Sequence, residues 1–238
     1  MKKDIKFLVN NTIAHRGIFD NKKVPENSIR AFKDALNNGF AIEFDVHLTK
    51  DNKVVVFHDD TLERLTNKKG NIKDYTFEEI KKTKLLDTNY FIPSFDEVLD
   101  LINGNVPILI ELKYDRKDHI LEKEVIKRLE KYNGEFAIQS FDPFIVTYFR
   151  FFKNDFIRGL LVSSKGNKIS ERFVRSMILL PICKPDFLSV DKNLYNNKKV
   201  LKYKKNKPVL AWTMKSKKDM DKYKDKFDNV ISNINEII

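Results

Sequence analysis

The 238-residue chain has a single cysteine, no long apolar run and no serine-, glycine- or proline-rich linker, and each absence removes a class of protein. One cysteine, Cys183, excludes an internal disulfide and is expected to be a small buried side chain rather than a reactive thiol. The longest apolar run, 177–183, is interrupted by Pro181 and falls far short of the roughly 20 residues of a membrane span. Asp4, Lys6, Asn10 and Asn11 break the first fourteen residues, so no signal-peptide apolar region is expected and a cytoplasmic location is the default. Without a linker, one domain covering 1–238 is expected, in the size range where α/β barrels fold as a unit.

What is present is charge and apolar periodicity. An apolar content of 42% with 12% aromatics argues for a packed core. The net charge is +11, and 192–226 carries thirteen lysines against three acids, which is +10 of that excess. Such a segment can give a weak peripheral attraction to an anionic membrane, although a solvated lysine-rich face is the simpler reading. Regular aromatic interleaving and an arginine-rich patch are missing, so no nucleic-acid partner is expected.

Short apolar segments at 12–15, 40–46, 54–58, 106–113, 136–139, 156–162, 187–191, 209–213 and 230–232 read as strands. Helical patterns lie between them at 28–38, 117–132, 143–152, 170–179, 197–204 and 216–226. This alternation predicts a parallel sheet closed as a (β/α)₈ TIM barrel with helices outside. The stretch 59–105 is too long for a simple crossover and is expected to be a small insertion over one edge. It contains two helix starts with capping-box spacing, Thr76 with Glu79 and Ser94 with Glu97.

Polar residues inside otherwise apolar strands carry the functional signal. In Ala41-Ile42-Glu43-Phe44-Asp45-Val46, period-two alternation puts Glu43 and Asp45 on one face, about 6–7 Å apart at the backbone. Two partly buried like charges need a cation or matched donors. A second strand, 106–113, ends its apolar run with Glu111 and Lys113, at the end where barrel enzymes place chemistry. His15 and His58 also stand at strand ends, and imidazole suits proton transfer near neutral pH. Arg16 offers a fork for phosphate oxygens, and Gly17 permits a sharp turn beside a ligand. In Pro25-Glu26-Asn27-Ser28, Asn27 or Ser28 can cap the next helix, leaving Glu26 as a further metal or substrate contact.

The ordered set His15-Arg16-Gly17, Pro25-Glu26-Asn27-Ser28, Glu43-Phe44-Asp45-Val46, His58-Asp59 and Glu111-Leu112-Lys113 resembles the glycerophosphodiester phosphodiesterase family. The segments 61–66 and 93–98 are similar to that family's insertion, and 139–141 and 211–213 to its later strands. The resemblance runs from about Thr12 to Asn233. It implies a barrel with one divalent ion, Ca²⁺ or Mg²⁺, held by Glu43, Asp45 and Glu111. It further implies His15 and His58 as the acid/base pair, Arg16 and Lys113 on the phosphate, and glycerol 3-phosphate plus an alcohol as products. Trp212 and Phe141 are candidates to face the glycerol or alcohol, with core packing the competing role for Phe141. The attacking group is either water or the substrate's glycerol 2-hydroxyl. One departure is visible: 231–235 reads Ile-Ser-Asn-Ile-Asn where the family commonly has an Asp-Pro-type ending. The competing readings are a phospholipase D-like lyase on lipid headgroups, a non-catalytic barrel binding anionic headgroups, and a nucleic-acid binder driven by the lysine-rich segment.

Overall fold

A computed structural model describes residues 3–113, 118–165 and 177–237. Nine strands are found among them: β1 Ile13–His15, β2 Ala41–Leu48, β3 Val54–Val56, β4 Ile108–Leu112, β5 Phe136–Ser140, β6 Ile157–Val162, β7 Phe187–Asp191, β8 Val209–Met214 and β9 Asn229–Ser232. Eight of them pair in parallel around a ring, in the order β1, β2, β4, β5, β6, β7, β8, β9, and β9 returns to β1. This is the (β/α)₈ barrel expected from the alternation of elements. The ninth, β3, pairs antiparallel with β2 and stands outside the ring. The reason is length, because only residues 49–53 separate β2 from β3, while a parallel crossover needs about a dozen or more residues. His58 therefore sits two residues beyond a hairpin strand rather than at the end of a barrel strand.

The helices form where apolar spacing and end signals agree. Ser28 caps the helix Ile29–Asn37 by accepting from the Ala31 N–H, so the capping role falls to Ser28 rather than Asn27. Ser94 and Glu97 complete the expected capping box of the helix Phe95–Ile102. That helix buries Phe95, Val98, Leu99 and Ile102 in the main core with Phe44 and Ile110, so it serves as the barrel's own crossover between β2 and β4. The residues before it gather round a separate small core of Val55, Phe57, Leu62, Leu65, Ile72, Ile80, Leu85 and Ile92. The helix expected from 117 runs Ile120–Leu129, and Lys117 lies outside the described residues. Of the helix expected at 170–179, residues 170–176 also lie outside them, and a short helix follows at Leu180–Cys183. No helix of the described residues is long and apolar enough to cross a membrane.

Period-two alternation sorts each strand between two environments. Outward residues such as Ile42, Phe44, Val46, Ile108 and Ile110 pack under the helices, and full burial of chains this size contributes about 1.5–3 kcal/mol each. Inward residues Ile13, Ala41, Leu109, Ala137, Phe187, Leu210 and Ile231 form a floor, closed by Phe7 and Leu8 of the helix Lys6–Asn10. Gly159 makes that floor possible, since a Cβ there would stand 2.3 Å from the Phe187 ring. One inward step above the floor, the side chains become polar: His15, Glu43, Glu111, Gln139 and Ser189.

Candidate functional site

Register brings the acids together. His15 lies beside Glu43 across β1 and β2, and Asp45 lies beside Glu111 across β2 and β4. Oxygens of Glu43, Asp45 and Glu111 all fall within 4.8 Å of one another, and all three residues are buried. A hard divalent cation, with ligands at about 2.0–2.6 Å, suits oxygens gathered this closely and an all-oxygen donor set. The cluster can therefore coordinate a divalent cation.

Its electrostatics show the same need. Burial, then repulsion from Asp45 and Glu111, pushes Glu43 well above the ordinary carboxylate range. Burial alone would raise Asp45 too, but the Lys113 ammonium and the Arg16 guanidinium outweigh it and hold Asp45 well below that range. Lys113 bonds both Asp45, at 2.9 Å, and Glu111. Asn27, in a left-handed conformation, turns its amide nitrogen to Asp45 Oδ2 at 2.9 Å. The Gln139 amide donates to Glu43 at 3.4 Å, and its own oxygen is buried without a partner.

The two imidazoles are held differently. His15 Nδ1 donates to Asn233 Oδ1 at 2.7 Å, so the proton sits on Nδ1 and Nε2 keeps its lone pair. Burial, followed by the nearby Arg16, lowers its pKa to about 3, so the ring is neutral at physiological pH. His58 Nδ1 meets Asp59 Oδ1 at 2.5 Å, while the His58 carbonyl accepts from the buried His47 Nε2 at 3.3 Å. Asp59 is gripped by Arg64, and Arg64 reaches on to Glu26 at 2.7 Å. Glu26 also takes Arg16 at 2.5 Å and the Asn21 amide at 2.8 Å. An unbroken chain of polar contacts thus runs from His58 through Asp59, Arg64, Glu26 and Arg16 to Asp45. Arg16 enters it from a left-handed turn, and Gly17 follows so close to the helix Ile29–Asn37 that a Cβ would lie 2.7 Å from the Ala31 backbone.

These groups open onto one cavity of about 760 Å³ at the C-terminal ends of the barrel strands, lined among others by His15, Arg16, Glu26, Glu43, His58, Glu111 and Trp212. The model described as the glycerophosphoryl diester phosphodiesterase family matches residues 15–230. The chain belongs to that family. A glycerophosphodiester phosphodiesterase of Caldanaerobacter subterraneus is 42% identical over 147 residues, 56% of this chain and 58% of the relative. One from Bacillus altitudinis is 37% identical over 132 residues, 51% of this chain and 53% of the relative. The matched region thus spans a little over half the length of these relatives. Among solved structures, an Oleispira antarctica phosphodiesterase superposes with a TM-score of 0.81 at 23% identity, covering 95% of this chain and 94% of that one. A Thermotoga maritima glycerophosphodiester phosphodiesterase gives 0.74 at 25% identity, with 95% of each chain covered.

Within this member of the family, His15, Arg16, Glu26, Glu43, His58, Glu111 and Trp212 line the cavity, and Asp45 and Lys113 bond to residues that do. Glu26, expected as a further metal or substrate contact, is placed between Arg16 and Arg64 and outside the three-carboxylate cluster. Trp212 lines the cavity, donates from its indole nitrogen to the Ser189 carbonyl at 3.0 Å and meets Phe141 edge-on at 5.5 Å between centroids. Sequence reading passed over Asn27, Asp59, Arg64, Gln139 and Asn233 as side chains of the site. Gln139 was within reach of it, since it follows Ala137 by two on β5. Asn233 was not: 218 residues separate it from His15, and it lies where the chain departs from the family's usual ending.

Proposed function

We propose that the chain hydrolyses glycerophosphodiesters to glycerol 3-phosphate and an alcohol, with one divalent cation and with His15 and His58 as the acid/base pair. The observation that carries this reading is three buried carboxylates converging beside two imidazoles, each imidazole anchored through Nδ1. The relatives named above as glycerophosphodiester phosphodiesterases support it, as does the Oleispira structure, which is a complex with the product sn-glycerol-3-phosphate.

Glu43, Asp45 and Glu111 would hold the cation, either Ca²⁺ or Mg²⁺. When bound, it would supply Lewis-acid stabilisation of the charge that builds on the phosphoryl oxygens. The chain's own groups do the rest. Arg16 and Lys113, already beside Asp45, would orient the phosphate and share its charge. Because Nδ1 of each ring is engaged, Nε2 is the working atom on both. One ring takes the proton of the attacking hydroxyl, and the other gives a proton to the departing alcohol oxygen. The floor of apolar side chains below keeps water from reaching the carboxylates from beneath.

The deciding experiment is a panel of glycerophosphocholine, -ethanolamine, -glycerol and -inositol, assayed for glycerol 3-phosphate with and without chelator. Turnover that chelator removes and a divalent ion restores supports the reading. Release of phosphocholine or of a cyclic phosphate in place of glycerol 3-phosphate would overturn it.

A further inference from the structure

The proposed chemistry uses one half of the cavity wall, and the opposite half has a character of its own. In an eight-stranded ring, strands four places apart face each other. β6, β7 and β8 therefore stand across the barrel from β1, β2 and β4, which carry His15, Glu43, Asp45 and Glu111. Each of those three facing strands is followed at its C-terminal end by a lysine that lines the cavity: Lys165, Lys192 and Lys215.

The acids nearby are already engaged. Asp191 accepts from the Ser164 hydroxyl at 2.6 Å and from both nitrogens of Asn193 at 2.8 and 2.9 Å. Asp219 pairs with Lys192 at 2.5 Å and accepts the Lys215 backbone N–H at 3.0 Å, which fixes both lysines at the rim. Among the described residues, neither Lys165 nor Lys215 forms an ion pair. Phe19, Phe141 and Trp212 also line the cavity, flat walls suited to the C–H face of a polyol. The cavity lies in the upper part of the roughly 300–1,000 Å³ range of small-molecule sites and has room beyond a glycerophosphoryl group.

Resting on the proposed phosphodiesterase reading, we infer that Lys165, Lys192 and Lys215 form an anion subsite that selects diesters whose leaving alcohol is a polyol bearing its own phosphate. A quaternary ammonium alcohol would bring like charge to these lysines, which disfavours it despite the aromatic walls.

The test uses a pair of probes differing by one phosphate, glycerophosphoinositol and glycerophosphoinositol 4-phosphate, with glycerophosphocholine as the cationic counterpart. Trp212 is the only tryptophan and lines the cavity, so its fluorescence reads binding without turnover. The expected result is at least tenfold tighter binding of the 4-phosphate than of glycerophosphoinositol, and weaker binding still of glycerophosphocholine. Lys165→Glu with Lys215→Glu should bring the first two probes to near-equal affinity. Lys198→Glu with Lys202→Glu, the same charge change on an exposed helix, should retain the preference. Equal affinity for the two inositol probes, or equal loss in both double variants, overturns the subsite. Tight selective binding without release of glycerol 3-phosphate would instead refute the catalytic reading and leave the subsite standing.

Discussion

His15 Nδ1 and Asn233 Oδ1 meet at 2.7 Å although 218 residues separate them, joining the first strand of the barrel to the residue after the last. The amide fixes which ring nitrogen carries the proton. Asn233→Leu should keep the fold and lower kcat by about 10–100-fold, the usual cost of losing an orienting partner. A far smaller change in kcat would show that His15 needs no such anchor.

The anchor on the second imidazole is a carboxylate backed by a guanidinium. Asp59→Asn should reduce kcat more than KM, and Arg64→Ala should do so less severely, since Arg64 acts on His58 only through Asp59. Steady-state kinetics on both variants tests that order.

Glu43 is held far above the ordinary carboxylate range by burial and by its two acidic neighbours, so neutralising it relieves repulsion in the metal-free protein. Glu43→Gln should lose turnover while its Tm without metal equals or exceeds that of the wild type. Added Ca²⁺ or Mg²⁺ should raise the wild-type Tm, by about 2.7 kcal/mol of stabilisation at 100 times Kd. The variant should show little of that rise. A thermal-shift titration reads both effects.

Glu26 supplies a pH dependence of known sign. Burial would raise its pKa, but Arg64, Arg16 and Asn21 together lower it from 4.5 to about 2. A group depressed in the folded state stabilises above its unfolded value and loses that contribution as pH falls through its folded value. The loss therefore runs from about pH 4.5 to about pH 2. Its full size at neutral pH is about 3 kcal/mol. Glu26→Gln should be destabilised by that order in urea at pH 7, and the gap to wild type should narrow toward pH 3.

Burial pushes the Cys183 thiol up to about 11. A disulfide reagent at pH 8 should find no reactive thiol in the folded protein and one in denaturant.

Much of the ring was legible in the sequence because most barrel strands are short, mainly apolar and separated by helical patterns. The polar interruptions at Glu43, Asp45 and Glu111 could be assigned to one face because the strand period is two. The antiparallel turn of Val54–Val56 was readable in principle from the five residues before it, but apolar content alone does not reveal direction. The helix Phe95–Ile102 was assigned to the insertion because its capping box marks a start without telling which core the helix joins. Asn233, Asp59 and Arg64 stayed hidden for a different reason. Each works by meeting a distant or flexibly placed partner, and a single polar residue at a strand end or in a loop has no period to betray it.

Gly159 admits the Phe187 ring and so lets the barrel be stoppered at one end. The consequence is traffic in a single lane. Whatever enters past Trp212 and the lysine rim must back out the same way, so the proposed products, glycerol 3-phosphate and an alcohol, should each hinder the next substrate from docking.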